Sequence, residues 1–232
     1  MTSPRWIPAG DGPATTGSRA LGPRLVLPRE LVPVAIVLLD RPDRPPAGLD
    51  RELHALEAAG ITAGYALQPA ERATLAPLSC PTTVVSIEAG ELERTISTVW
   101  ISPMGTTLGW SPDQTTFELT SIDAALLPFC IASLVELRVR PLRRRRPISL
   151  SPTGGAATSL AAELLRSGRR WRLTSTAAAG DGSTTEHLVE VIDAGPDGYW
   201  EITRDTGEGG LVLTARSTDS VLRMIGDVTV RR

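Results

Sequence analysis

The chain has 232 residues, 41% of them hydrophobic but only 4% aromatic, and a formal net charge of −2. That length allows one large unit or two small fused halves around an aliphatic core, and the near-neutral charge supplies no field favouring nucleic acid or an anionic membrane. All 24 basic residues are arginine, which excludes a lysine Schiff base, a P-loop lysine and a kinase-type phosphate-binding lysine.

Asparagine is absent as well, and the joint loss of residues with AT-rich codons reports a GC-rich genome before it reports function. Cys80 and Cys130 are the only cysteines, and His54 and His187 the only histidines. Their spacing matches no zinc site, and two cysteines do not make a disulfide framework, so each is expected to fill a small apolar gap.

Residues 1–23 are rich in Gly, Pro, Ser and Thr and read as a disordered or weakly docked tail. "LVPVAIVLL" (31–39) is too short to span a membrane and lacks the flanks of a signal peptide. It reads as a buried strand of a cytoplasmic protein. "PPAGLDRELHALEAAG" predicts a short helix with Leu49, Leu53 and Leu56 on one face and Gly60 as its stop. His54 lies beside that face as an ordinary helix residue. "QPAERATLAPL" predicts another, with Pro69 in its first position.

"TTVVSIEAG", "RTISTVWIS", "TTLGW" and "TTFELTS" are dense in Val, Ile and Thr and predict a four-stranded antiparallel meander. A helix follows, with Leu127, Ile131, Leu134 and Val135 on one face and Pro128 in its first turn or at a kink within it. "RVRPLRRRRPISLSP" carries Arg138, Arg140 and Arg143 to Arg146 and reads as a solvated linker.

The order then repeats. "AATSLAAELLRSG" predicts a helix, and four strand-like segments follow across Gly-rich turns. "STDSVLRMIG" predicts a closing helix with Thr218 as N-cap, Val221, Leu222 and Ile225 buried, and Gly226 as its end. Each half therefore reads helix, four strands, helix. "VWISPMGTTLGW" (99–110) and "VEVIDAGPDGYW" (189–200) share only three of twelve residues. They do share the offsets of Gly105/Gly195 and Trp110/Trp200, which predicts equivalent hairpins with matching tryptophan core anchors.

The predicted fold is α+β, with two pseudo-twofold-related halves forming a central sheet between helical layers. The boundaries are a tail at 1–23, a first half at 24–137, an Arg/Pro linker at 138–149 and a second half at 150–232.

No catalytic, cofactor or metal constellation emerges. "GDGS" (180–183) is a hairpin turn rather than a nucleophile elbow. Glu186 and Glu190 share one face of a strand while His187 points to the other, which reads as a solvated face. "DRPDRP" (40–45) reads as surface ion pairs, and "RDTGEGG" (204–210) does not match an EF-hand loop. An enzyme would need Asp123, Glu186, Glu190 and Asp193 to converge in a deep pocket. A nucleic-acid module would have to use the arginine segment.

Three stretches together resemble the EspG family, the type VII (ESX) secretion-associated proteins of actinobacteria. They are "LHALEAAGITAG…LQPAERATLAPLSCPTTVVSIEA", "FELTSIDAALLPFCIASLVELRVRPLRRRRPISL" and "DGYWEITRDTGEGGLVLTARSTDSVLRMI". The likeness runs in order over roughly residues 24–230. It implies two α/β halves about a pseudo-twofold axis and a cytosolic chaperone that binds PE–PPE heterodimers near the PPE tip and keeps them soluble for export. It implies no catalysis and no cofactor.

The family's long loop between the first two sheet strands contributes to partner binding; here it is only Glu88 to Arg94. This places candidate partner contacts at Glu88, Glu91, Glu93 and Arg94 in that loop and at Leu222 and Arg223 in the last helix. The expected partner is a secreted helical protein or heterodimer. Neither nucleic acid nor membrane insertion is expected, and a homodimer is left open.

Overall fold

A computed structural model of the chain describes residues 21–40, 47–89, 95–113, 115–142, 146–150, 159–179, 181–204 and 209–230. Among these the fold is α+β, with six α-helices, a large antiparallel sheet of ten strands and a separate two-stranded hairpin. Most of the expected tail lies outside the described residues, as do "DRPDRP" from residue 41 onward and residues 205–208 of "RDTGEGG". No helix among the described residues is long and apolar enough to cross a membrane. The chain divides into two compact units, Met1–Val84 with Ser97–Leu126, and Val85–Ile96 with Leu127–Arg232.

The first unit opens with β1 (Leu21–Pro28), α1 (Val32–Asp40) and α2 (Asp50–Ala58). The small hairpin β2 (Thr62–Ala63) and β3 (Ala66–Leu67) then leads into α3 (Pro69–Ser79). Next come β4 (Thr83–Ala89), whose first two residues belong to this unit, β5 (Thr95–Ser102), which belongs to it from Ser97 onward, β6 (Gly105–Trp110) and β7 (Thr116–Ile122). Within the unit the strand order is β1–β7–β6–β5. α1 packs on α3, and α3 lies over β6 and β7. The core between them is aliphatic, with Leu27, Leu38, Leu56, Leu75 and Leu119 all almost fully buried. Such residues contribute roughly 1.5–3 kcal/mol each by burial.

The stretch 31–39, expected to be a strand, is helical. A run that is apolar throughout carries no period in its sequence, but its burial does. Leu31, Val34, Ala35, Leu38 and Leu39 are covered while Pro33 and Val37 face out. Pro33 is the second helical residue, where a missing N–H removes no intrahelical bond. α2 and α3 form where expected, with Leu53 and Leu56 buried and Pro69 opening α3.

Inside β6, Gly109 is required by space. A Cβ there would lie 2.6 Å from the Trp100 ring and 2.9 Å from Leu119. Trp100 and Phe117 meet edge to face at 6.0 Å in the same region.

The second unit contains Val85–Ala89 of β4, α4 (Leu127–Leu134), β8 (Ile148–Leu150) and α5 (Ser159–Ser167). β9 (Arg169–Ala178), β10 (Thr184–Asp193), β11 (Tyr199–Arg204), β12 (Leu211–Arg216) and α6 (Thr218–Val230) complete it. Its strand order is β4–β9–β10–β11–β12–β8. β9 and β10 form a ten-residue hairpin from Arg169↔Asp193 to Ala178↔Thr184.

Alternation along these strands gives two apolar faces. Ile192, Trp200, Ile202 and Leu213 meet Ala161 and Leu164 of α5. Trp171, Leu173, Val189 and Val191 are buried on the other face, and α6 packs on β9 and β10 and against α4.

The order helix, four strands, helix holds in both copies: α3 to α4 around β4–β7, and α5 to α6 around β9–β12. The tryptophans do not match, however. In the first copy a two-residue turn joins Ser102 to Gly105, and Trp110 is the last residue of the third strand. In the second, a five-residue turn separates Asp193 from Tyr199, and Trp200 is the second residue of its strand. Trp200 is fully buried, whereas Trp110 is half-exposed beneath the Arg24 guanidinium at 5.9 Å. Equal offsets in sequence arose from unequal turns.

α6 also departs from expectation. It continues through Gly226 to Val230, because Val228 extends the buried stripe of Val221 and Ile225. Its cap is Ser217, whose Oγ accepts from Ser220 N at 3.1 Å.

Trp200→Ala should therefore cost about 3–5 kcal/mol by emptying a buried site. Trp110→Ala should cost only about 1 kcal/mol, the scale of an exposed cation–π contact. Urea unfolding of the two variants checks the difference.

Candidate functional site

The residues singled out in the sequence are carried by separate elements. Glu88 is near the end of β4, half-buried, 3.8 Å from Arg172 of β9. Glu91, Glu93 and Arg94 lie outside the described residues. Leu222 and Arg223 sit on α6 directly after buried Val221, with Leu222 half-buried and Arg223 exposed. One turn of α6 therefore presents an apolar side chain and a cation at the edge of its buried stripe.

The dispersed acids do not form one centre. Asp123 accepts from Ala125 N at 2.9 Å in a turn of the first unit. In the second unit Glu186 is exposed, while Glu190 and Asp193, three residues apart on β10, project to opposite faces. Glu190 is not on a solvated face as expected. It is 7% exposed and ion-paired to Arg170 and Arg172. Two cross-strand guanidinium groups offset the desolvation of one carboxylate, which is why it tolerates burial. Among the described residues, no group of three or more His, Cys, Asp or Glu is placed to hold a metal ion.

"GDGS" is a turn, as expected. Asp181 Oδ1 accepts from Ser183 N at 2.9 Å and Ser183 Oγ at 2.6 Å, and Gly182 has φ +82°. These hydroxyl and amide donors hold the Asp181 carboxyl below its ordinary pKa. The Ser183 hydroxyl is thus committed to a turn rather than offered to a substrate.

A cleft of about 400 Å³ opens in the second unit, framed by α5, the turn before β11 and the segment after α4. Its charged lining includes Glu136, Arg138, Arg140, Glu163, Arg169 and Asp193. Much of this charge is already paired. Arg169 meets Glu136 at 2.5 Å, and Arg140 Nη2 donates to Asp193 Oδ2 at 2.9 Å. The Asp193 carboxylate holds the Arg140 pKa above its ordinary value. Asp193 Oδ1 also accepts from Gly195 N at 2.9 Å, so both of its oxygens are engaged.

The segment expected to be a solvated linker is docked at its described ends. Tyr199 Oη donates to Arg138 O at 2.9 Å and accepts from Arg138 N at 2.8 Å. Arg140 N donates to Thr218 Oγ1 at 3.0 Å. Burial pushes the Tyr199 phenol above its ordinary pKa, so it stays neutral and can both donate and accept. Further on, Ile148–Leu150 joins the edge of the sheet against Leu211–Leu213 of β12. Arg143 to Arg145 lie outside the described residues, and Arg146 is exposed.

Glu136 has φ +52°, the left-handed conformation that usually takes glycine at a helix C-terminus. Glu136 N bonds to Ser133 O at 3.1 Å and Leu137 N to Ala132 O at 2.7 Å, closing α4 with a Schellman turn. The backbone penalty at Glu136 is of order 1 kcal/mol, and its ion pair with half-exposed Arg169 offsets part of it.

Glu136→Gly should be more stable than Glu136→Ala by about 1 kcal/mol, since both lose the ion pair and only glycine relieves the backbone. Glu190→Gln should cost about 1.5–3 kcal/mol, the scale of lost charged hydrogen bonds. Denaturant midpoints of the three variants test both statements.

In sequence the chain matches no family model and no curated protein. In fold it is similar to the Mycobacterium tuberculosis type VII secretion system chaperone EspG5, solved in complex with the PE25–PPE41 dimer. The likeness covers 89% of this chain and 95% of the other, with a TM-score of 0.63 and 12% sequence identity. That structural neighbour is a chaperone, not an enzyme. The EspG likeness carried by the sequence segments is therefore a likeness of fold, and the chain shares its α+β architecture with EspG5.

Proposed function

We propose that this chain is a non-enzymatic chaperone or adaptor of type VII (ESX) secretion, which binds a helical PE–PPE-like heterodimer in the cytosol and keeps it soluble for export. The observation that carries this reading is the match over nearly the whole length of both chains to a chaperone captured with such a dimer.

The chemistry of the chain is consistent with it. The carboxylates an enzyme would need are separately engaged, with Glu190 on Arg170 and Arg172 and Asp193 on Arg140. Arg140, which a nucleic-acid reading would require, is paired with Asp193 and held to Thr218 through its backbone. α6 meanwhile offers Leu222 and Arg223 outward from a well-buried stripe. An apolar contact rimmed by charge is the usual make-up of a protein interface.

The partner surface in this proposal comprises Leu222 and Arg223 together with Glu88, Glu91, Glu93 and Arg94. The β4–β5 connection is short, only residues 90–94. Recognition here therefore relies less on that loop than in the family it resembles, and more on α6.

Co-expression with the helical secreted proteins encoded beside its gene should give a complex that survives affinity capture and size exclusion. Failure of every such pair to co-purify would refute the chaperone reading. Leu222→Glu and Arg223→Glu should each weaken the complex by about tenfold or more, the scale of an interface anchor, with the melting temperature of the free chain unchanged. The same size-exclusion run reports whether the free chain self-associates.

A further inference from the structure

The closing helix is held by directional bonds that its own capping does not need. Ser217 alone serves the N-terminus of α6: its Oγ accepts from Ser220 N, and its carbonyl accepts from Val221 N at 3.0 Å. This leaves the Thr218 hydroxyl outside the helix's own bonding. It reaches instead to the segment that follows α4, accepting from Arg140 N at 3.0 Å and lying 3.4 Å from Arg138 O.

The other bonds of that segment lead to the ends of two strands. A single buried hydroxyl, Tyr199 Oη at the head of β11, takes both the N–H and the carbonyl of Arg138. The Arg140 guanidinium ties to Asp193 at the end of β10. Gly198 permits the close passage between them: it has φ +84°, and a Cβ there would lie 2.6 Å from Pro141 O. Residues 138–141 thus connect the ends of β10 and β11 to the first turn of α6.

We propose that this segment is a clasp that fixes the axial position and rotation of α6, and that Arg138, Tyr199, Arg140 and Thr218 are positioning residues for the partner surface on that helix. This rests on the reading of Leu222 and Arg223 given above.

The physical reason lies in the kind of contact on each side of α6. Val221, Ile225 and Val228 bury an aliphatic stripe. Apolar contact is non-directional, so this stripe sets which face of α6 turns inward but not its exact rotation or register. Hydrogen bonds do select one, because a displaced helix would take the Thr218 hydroxyl away from the Arg140 N–H, while the Tyr199 hydroxyl holds Arg138 and so keeps that N–H in place. Leu222 lies four residues after Thr218, about 6 Å along the axis at ~1.5 Å per residue. A rotation or slip at the clasp is therefore transmitted almost undiminished to Leu222 and Arg223.

The test uses the full chain with Tyr199→Phe and Thr218→Val, singly and combined, and Thr218→Ser as the conservative control. Tyr199→Phe keeps the ring in the core and removes only the hydroxyl. Amide hydrogen exchange in the first turn of α6, residues 220–222, should quicken about tenfold in the double variant. Exchange in the paired centre of β9 and β10 should stay as in the wild type. Affinity for the helical heterodimer captured by the wild-type chain should fall about tenfold. Thr218→Ser should behave as wild type in both.

Unchanged exchange in α6 overturns the clasp. Faster exchange with undiminished affinity overturns its role in positioning the partner surface. Acceleration spread evenly over β9 and β10 also overturns it, since that reports global destabilisation. A wild-type chain that captures no partner defeats the functional reading instead, while the exchange measurement still decides whether the clasp holds α6.

Discussion

The second unit depends on how one phenol is satisfied. Tyr199 is 1% exposed, and an unpaired hydroxyl at that depth would cost about 1–3 kcal/mol. It could have been paired across the sheet or by water. It is paired instead by both peptide groups of Arg138, which draws an irregular segment against the head of β11. Once Arg138 is fixed, Arg140 is two residues away, within reach of Asp193 and Thr218. The same positioning leaves room for only glycine at residue 198. A segment whose composition reads as a linker thus becomes a structural tie.

A second constraint is the exclusive use of arginine. Buried or half-buried carboxylates recur on these strands and meet guanidinium groups: Glu118 with Arg24, Glu190 with Arg170 and Arg172, and half-buried Glu201 with Arg216. Arginine remains charged at any accessible pH and offers several donors in a fixed plane. One carboxylate can therefore be paired by two arginines, as Glu190 is, without a proton to exchange. Groups held this way fix strand register and expose little free acid–base chemistry.

The sequence made the order of elements legible, because that order rests on local physics. Proline at the first turn, glycine after the last turn and alternating Val, Ile and Thr are read residue by residue, and α2, α3, α5 and the eight strands β4–β7 and β9–β12 follow from them. The failures share a cause. Residues 31–39 are apolar on every side, so only the tertiary contact of α1 with α3 decides their conformation. Gly226 ends nothing, because Val228 two residues later is buried. Thr218 is a good cap by type but is engaged by Arg140, a residue 78 positions away. Trp110 and Trp200 share an offset in sequence, yet the lengths of the preceding turns place one at a strand end and the other in a core. The clasp was invisible for the same reason, since each of its bonds joins residues more than fifty positions apart.

These long-range bonds bear on how a fold can persist at 12% identity to its structural neighbour. Cores tolerate exchange among aliphatic residues of similar volume, so identity there decays while the architecture stays. A binding surface is under no such volume constraint, and its residues can change with the partner. What must be kept is the relation between the surface and the platform: the angle at which α6 leaves β12 and the rotation that turns Val221 inward and Leu222 outward. Under the clasp proposed above, that relation would be carried by Tyr199, Thr218 and the backbone of residues 138–140. A shared fold with a changed surface is then physically consistent. The helix can carry new side chains on its outer face for as long as the groups that orient it remain.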